Sequence, residues 1–422
     1  MADDPRPATP GLTDLGAALD VLLRFGAAMM HVGDTAFRVR AAMAVLGRAL
    51  GIESLAVQVT IGALQATARR GAETATLVRE IGPPGIDAQR IVSLEKLAQS
   101  SRPGLTAHQL SAALDGLEQT RPRYPIVVVA GAIGLASASF SYLNGGDALG
   151  TVAAAIAGGT GQAVRALMFA RHLNQFAVTA VCAVLTAGLY CALIAALAAG
   201  GFGPGHAAGF IFSVLFLVPG FPLVAGLLDS VQHQTMAALG RLAYAAMILL
   251  AAAIGLSAVA AIAGIAVVPA PALQGGLEPL PLVLRALASF AGGVAFAVLY
   301  NSPLPTLLAV GAMSLAGNEL RLALHDLGLA LAPATFFGAL LVGLIATLAR
   351  HRLHLPRIVL TVPSIIIMTP GLFAFQAIVM VNQGASKPAI IAGATCFFIV
   401  GAMAMGLVAA RFLTERRWLV ER

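Results

Sequence analysis

From Tyr124 onward the chain runs as one apolar stretch after another, each near the roughly 20 residues a helix needs to cross a bilayer core of about 30 Å. Inside a bilayer every backbone polar group must be satisfied by the protein itself, so stretches of this length can only form a bundle of helices. Ten spans are predicted, at about 124–142, 147–168, 176–199, 207–228, 241–266, 280–300, 303–320, 328–349, 356–381 and 388–412. Between them lie helix breakers and polar residues: Asn144-Gly145-Gly146-Asp147, Arg171-His172-Leu173-Asn174, Gly203-Pro204-Gly205, Glu278-Pro279 and the segment from Gly384 to Pro388.

The first 123 residues are different in kind. They hold 13 Lys/Arg and 12 Asp/Glu, whereas the remaining 299 positions hold 13 and 7. Charged residues are 11% of the whole against about 25% in ordinary globular proteins, which excludes a conventional soluble enzyme. The expected organisation is a soluble α+β head over 1–123, a five-span block over 124–268, a second over 280–412 and a short tail at 413–422. The net charge of +7 resides almost wholly in the membrane body, where basic residues report topology rather than nucleic-acid binding. With the head inside, twelve arginines, among them Arg121, Arg123, Arg165, Arg171, Arg241, Arg350 and the tail residues Arg416, Arg417 and Arg422, fall on the cytoplasmic side. Only Arg285, Arg321 and Lys387 fall toward the other face. An even number of spans agrees, placing both termini in the cytoplasm. Met1 to Pro10 is acidic and proline-rich, with neither a basic nor an apolar leader region, so no cleavable signal is expected. Cys182, Cys191 and Cys396 sit in apolar stretches without metal or redox spacing and read as small apolar side chains.

The two blocks resemble distant copies offset by 150 to 156 residues. Tyr142-Leu143-Asn144 parallels Tyr300-Asn301, Gln162 with Arg165 parallels Asn318 with Arg321, and Val218-Pro219-Gly220-Phe221 parallels Thr369-Pro370-Gly371-Leu372. An odd number of spans per copy turns the second upside down, an arrangement recurrent in secondary transporters. Proline inside a helix removes a hydrogen bond and costs ~3 kcal/mol or more. Pro219-Gly220-Phe221-Pro222 in span four and Pro363 with Thr369-Pro370-Gly371 in span nine therefore predict unwound backbone at mid-depth, which is tolerated only against protein or a wet cavity. Such breaks offer amides to anions and carbonyls to cations.

Charges within apolar spans are costly and commonly face a polar interior. Arg165 and Arg321, each with an amide residue one turn earlier, either receive a substrate carboxylate or snorkel to an interface. Asp229, following span four, and Asp147 are candidates to carry a proton; an ion pair with Arg241 is the structural alternative for Asp229. Glu319, two residues from Arg321 and so on another helix face, reads as a loop-facing charge. His351 and His354 flank Arg352 in what reads as a solvated basic loop, and neither metal nor cofactor is expected.

In the head, helices are predicted over Leu12 to Met30 and Thr35 to Leu50, with Gly33 ending the first and Asp34 capping the second. Strands follow at Leu55 to Ile61, Ala63 to Arg69 and Thr74 to Glu80, then helices over Asp87 to Gln99 and Thr106 to Gln119. His31, Asp34 and Ser54 invite a hydrolase reading, but no nucleophile-elbow, P-loop or metal spacing supports one, so the chain is read as a non-enzyme.

The order of these features resembles the bacterial threonine/serine exporters over nearly the whole chain. Gly33-Asp34-Thr35-Ala36-Phe37-Arg38-Val39 is similar to the family's amino-terminal signature; Asn144-Gly145-Gly146-Asp147, Arg165, Val218-Pro219-Gly220-Phe221-Pro222-Leu223, Asp229 and Arg241 to its first membrane block. Asn301-Ser302-Pro303, Gly317-Asn318-Glu319-Leu320-Arg321 and Met368-Thr369-Pro370-Gly371 are similar to its second. Arg40 departs from the pattern, standing where relatives carry an acidic residue. The resemblance implies a multi-pass inner-membrane antiporter exporting small amino acids on the proton gradient or membrane potential. A related split form is associated with dicarboxylate export, and a sensor or channel remains the alternative class. A zwitterion needs one cationic and one anionic or carbonyl partner, and a dicarboxylate needs two cationic ones. Asp229 and Arg165 together lean toward the zwitterion. The implied partners are a small-molecule substrate and the lipid bilayer, with a homo-oligomer compatible with the sequence.

Overall fold

The computed structural model describes residues 14–201, 209–265, 267, 278–415 and 418. The readings made of Met1 to Pro10, of Gly203-Pro204-Gly205 and of Arg416, Arg417 and Arg422 lie outside the described residues. The chain forms two compact units, one of residues up to Arg121 with Gln232–Gly240, the other of Pro122–Val231 with the chain from Arg241 onward.

The first unit is built on α1 (Asp14–His31), whose Leu15, Leu19, Leu22, Leu23 and Phe25 are fully buried. Around it lie α2 (Ala36–Ala49), an antiparallel sheet of β1 (Ser54–Val59), β2 (Ala63–Arg70) and β3 (Glu73–Glu80), and α3 (Ala88–Ser100) and α4 (Ala107–Glu118). Period-two alternation puts Leu64, Ala66 and Ala68 of β2 inward, against α1, while Gln65 and Arg69 point to solvent. Register is set by the tight turn at Gly71, whose φ of 57° suits glycine, and aligns Thr67 with Thr76.

One local expectation is corrected. Thr35, not Asp34, is the N-cap of α2, and Asp34 is wholly buried. Its Oδ1 accepts from the Thr35 amide at 2.8 Å and from Arg38 Nε at 2.6 Å, and Arg38 Nη2 donates to Glu95 Oε2 of α3 at 2.8 Å. Burial works against the Arg38 charge, but Asp34 and Glu95 outweigh it and hold the guanidinium above its ordinary pKa. Asp34 thus ties the α1–α2 corner to α3, while Ser54 opens β1 opposite Arg69.

The second unit contains α5 (Ile126–Leu143), α6 (Ala148–Ala170), α7 (Gln175–Ala199), α8 (Phe210–Val214), α9 (Gly220–Val231), most of α10 (Thr235–Ile262), α11 (Pro279–Leu299), α12 (Leu304–Asp326), α13 (Leu331–Leu353), α14 (Arg357–Ile365), α15 (Gly371–Asn382) and α16 (Ser386–Thr414). Among the described residues, eight helices are long and apolar enough to cross a bilayer. Two further pairs, α8 with α9 and α14 with α15, pass only as bent spans, at 52° and 49°, which gives up to ten spans if each bent pair is one. Several ends differ from the sequence reading. α10 starts at Thr235 rather than 241, α13 continues to Leu353 rather than 349, α12 continues to Asp326 rather than stopping near 320, and α9 continues to Val231, so Glu319 and Asp229 lie inside helices. For both carboxylates an arginine from another helix satisfies the charge, so the charge does not force the chain out of the helix.

Candidate functional site at the two broken spans

Each broken span is interrupted in the same way. A three-residue 3-10 turn, at Leu215–Leu217 or Ile366–Met368, leads into an extended residue, Val218 (φ −63°, ψ 124°) or Thr369 (φ −65°, ψ 132°). The following proline explains both: its ring disfavours helical backbone before it, and it brings no amide to continue the ladder. A twelve-residue helix then starts at Gly220 or Gly371. Pro222 sits in the first turn of α9, where a missing amide costs nothing.

The breaks face each other. A Cβ on Gly220 would collide with Ile366 and lie 3.5 Å from Thr369 Oγ1; one on Gly371 would lie 2.6 Å from Val218 Cγ2 and 3.1 Å from Leu215 Cδ2. Leu215 and Val218 precede Gly220 by the same steps as Ile366 and Thr369 precede Gly371, so the contact is reciprocal, as across a local two-fold relation. Phe140 of α5 and Phe296 of α11, also at matching places, meet edge to face with centroids 5.8 Å apart.

Beside this crossing is a cavity of about 20 Å³ lined by Asn144, Leu215, Asn318, Arg321, Thr369 and Pro370, among others. That is space for about one water molecule, so the helices are closed on one another here. Arg321 is 7% exposed. Its Nη1 donates to Asn318 Oδ1 at 3.0 Å and its Nε has no hydrogen-bond partner. The buried Thr369 hydroxyl is likewise without one. The amino end of α15 opens at the same place, where first-turn amides lack intrahelical acceptors and the helix dipole is positive. Cation, amides and hydroxyl together make an environment for an anionic oxygen group.

The first block's counterpart is built otherwise. Arg165 is half-buried on α6 with its guanidinium 5.2 Å from the Phe169 ring, within electrostatic reach of Cys182, Tyr244 and Tyr300. Its Nε and the Gln162 Oε1 are buried without hydrogen-bond partners. Phe221 stacks edge to face on Tyr300 at 5.6 Å. The remaining interior arginines are neutralised: Arg241 by Asp229 at 3.2 Å, Arg285 by Glu319 at 2.9 Å and Asp326 at 2.7 Å, and Arg357 by Glu415 at 3.1 Å. Among the described residues no carboxylate lies within ion-pair distance of Arg165 or Arg321. Asp147 caps α6, accepting from the Gly150 amide at 3.1 Å.

The structure therefore gathers Gly220, Thr369, Pro370, Gly371, Asn318 and Arg321 at the crossing, whereas Asp147 and Asp229 have capping and pairing roles elsewhere. It adds Asn144, read from sequence as a connector residue. Its parallel with Asn301 was the available signal.

A family model described as "Putative threonine/serine exporter" matches residues 20–263, and a second, "Threonine/Serine exporter, ThrE", matches residues 285–413. The chain is 31% identical over 244 residues to the "Probable succinate transporter subunit YjjP" of Escherichia coli K12, covering 56% of this chain and 87% of that protein. It is 25% identical over 383 residues to the "Probable threonine/serine exporter" of Mycobacterium tuberculosis H37Rv, covering 87% of this chain and 71% of that one. No solved structure matches. With one family model covering more than half of its length and the second most of the remainder, the chain belongs to the threonine/serine exporter family.

Proposed function

We propose that this protein exports threonine or serine across the bacterial inner membrane by alternating exposure of a site at the two broken spans, drawing on the proton gradient or membrane potential. The observation that carries the reading is the pair of interior arginines, Arg165 and Arg321, left without carboxylate partners at matching places on α6 and α12. A buried cation is expensive unless paired, and an arginine fork suits a carboxylate. The substrate carboxylate would meet Arg321, Asn318 and the first amides of α15. Carbonyls freed at the breaks would receive the ammonium, because Asp229 is committed to Arg241.

The two blocks act here as inverted copies, which the reciprocal crossing and the Phe140–Phe296 contact support. Exchange of their conformations would bring Arg321 with Asn144, then Arg165 with Gln162 and Tyr300, alternately to the substrate. In this reading the head over 1–123 and both termini lie in the cytoplasm.

A dicarboxylate is the second reading. Two unpaired arginines suit two carboxylates, and a relative carries a succinate transporter name. Counterflow into proteoliposomes tests both. Trans-stimulated uptake of labelled threonine is the expected result. Stimulation by succinate alone selects the second reading, and none across amino acids and dicarboxylates overturns carrier function altogether.

A further inference from the structure

The head contains a cleft of about 590 Å³, a size typical of small-molecule sites, for which the carrier reading has no use. One wall is a stripe of α1, with Asp20, Arg24, Ala27, Ala28 and His31 spaced along one helix face. The opposite face of α1 is the packed core of the head, with Leu15, Leu19, Leu22 and Leu23 fully buried. The cleft face stays partly open, because Ala27 and Ala28 are too short to fill it. A second wall is the end of β3, continued by Ile81 and Gly82. The loop after β3 is held to the end of α1: the Gly85 amide donates to the His31 carbonyl oxygen at 2.7 Å, and the Asp87 amide to that of Val32 at 3.1 Å.

The charges lining the cleft divide into committed and free. Arg24 donates to Glu118 from Nε at 3.2 Å and from Nη2 at 2.6 Å, and to Asp115 from Nη2 at 2.6 Å. Arg90 Nη2 is taken by the Glu118 and Thr120 carbonyl oxygens, at 3.2 and 2.9 Å. Arg79 gives only Nη2, to Asp20 at 2.9 Å, so its Nε and Nη1 donors remain. Among the described residues no hydrogen bond or ion pair engages the Glu80 carboxylate or the His31 imidazole, and both residues are exposed. A ligand therefore meets one cation with a free edge, one free carboxylate and one imidazole. An α-amino acid matches this set, its carboxylate accepting from Arg79 and its ammonium donating to Glu80. A dicarboxylate would set one of its charges against Glu80.

The edge of the cleft also reaches the chain that follows the first broken span. Ile81, next to Glu80, donates its amide to the Gly62 carbonyl oxygen at 2.8 Å. Ile61, before Gly62, lies against Gly240, where an added Cβ would be 2.8 Å from Ile61 Cγ2. Gly240 belongs to the same compact unit as the head and to α10, whose next residue, Arg241, pairs with Asp229 of α9. We propose that the cleft binds an α-amino acid, carboxylate on Arg79 and ammonium on Glu80, as a site separate from the broken spans, and that its occupancy alters the rate of transport through the Ile81–Gly62 and Ile61–Gly240 contacts. A ligand does this to the extent that it favours one position of the β1–β2 turn over another. The binding step stands without the carrier reading, and the effect on rate rests on it.

Hydrogen exchange of the full-length protein in detergent tests the site, with threonine, serine and a mixture of the other neutral α-amino acids as probes. At least one probe is expected to slow exchange over residues 79–85 in wild type, and equally in Arg321→Gln, which leaves the cleft intact. Ala27→Phe, which fills the cleft without altering its charge, should abolish the slowing. Glu80→Gln should raise the half-effective concentration about tenfold. No slowing by any probe, slowing by succinate in their place, slowing lost in Arg321→Gln, or a wild-type concentration dependence in Glu80→Gln overturns the inference. Should Ala27→Phe fail to fold, Glu80→Gln decides. The rate is read in proteoliposomes with equal threonine and slowing amino acid on both sides, so that the cleft is supplied whichever way the protein inserts. Glu80→Gln is expected to change the rate of labelled threonine exchange severalfold at subsaturating concentration, and to have no further effect in an Ile61→Ala background. An unchanged rate, or the full effect of Glu80→Gln in Ile61→Ala, overturns the coupling and leaves the site. A wild type that moves no threonine while its hydrogen exchange is slowed overturns the carrier reading and the coupling with it, but not the site.

Discussion

Interior arginines that look alike in sequence divide by what they face. Arg241 and Asp229, 3% and 0% exposed, neutralise each other, and removing one partner leaves the other buried and charged. Such losses cost about 3–5 kcal/mol, so Arg241→Gln is expected to lower thermal stability in detergent sharply. Arg321 leaves no carboxylate behind, so Arg321→Gln should melt near wild type while raising KM for substrate. Equal destabilisation by both would show that Arg321 is a structural charge. The sequence shows that these arginines lie in apolar spans, but their pairing joins residues as far apart as Arg285 and Asp326, and nothing local specifies it. Glu319 is misread for the same reason: its partner lies on the preceding helix.

Helices, strands and proline breaks are legible because each follows from local chemistry, whether apolar run length, period-two alternation or a missing amide. How equivalent elements meet is not, since it depends on shape complementarity across distant segments. The α5–α6 and α11–α12 contacts illustrate this. On α6, Gly158 presses on Ser137 of α5: an added Cβ would collide with its hydroxyl, lie 2.8 Å from its Cβ and 3.2 Å from the Ser213 carbonyl oxygen. At the matching place the sizes are exchanged, with Ser314 of α12 against Gly293 of α11 and its hydroxyl donating to the Ser364 carbonyl oxygen at 2.9 Å. Gly158→Ser alone overpacks the contact and is expected to cost about 1–3 kcal/mol. Adding Ser137→Gly should recover most of it by reproducing the second block, the introduced hydroxyl reaching the Ser213 carbonyl oxygen. A double-mutant cycle on thermal unfolding measures the coupling, and strict additivity would refute the equivalence of the two contacts.

At the scale of the whole molecule, the proposed alternation of access requires the second block to be upside down. Two five-span blocks carrying the same order of three spans, a broken span and a fifth must run in opposite senses across the bilayer if the intervening chain does not cross it. By the positive-inside rule, the excess of arginine on one set of connections predicts that their face is the cytoplasmic one. The connection between α6 and α7 at Arg171–Asn174 should face the cytoplasm, and its counterpart between α12 and α13, at Leu327–Ala330, the periplasm. Leu173 is 47% exposed and Leu327 81% exposed, so a cysteine at either is reachable by a reagent in water. In a background lacking Cys182, Cys191 and Cys396, Leu327→Cys is expected to react with a membrane-impermeant maleimide in intact cells after outer-membrane permeabilisation. Leu173→Cys should react only once the inner membrane is opened. Labelling of both from one side would refute the inversion, and with it the alternating use of Arg165 and Arg321. The opposite pattern, with Leu173→Cys reacting first, would reverse the orientation of the molecule and preserve the inversion.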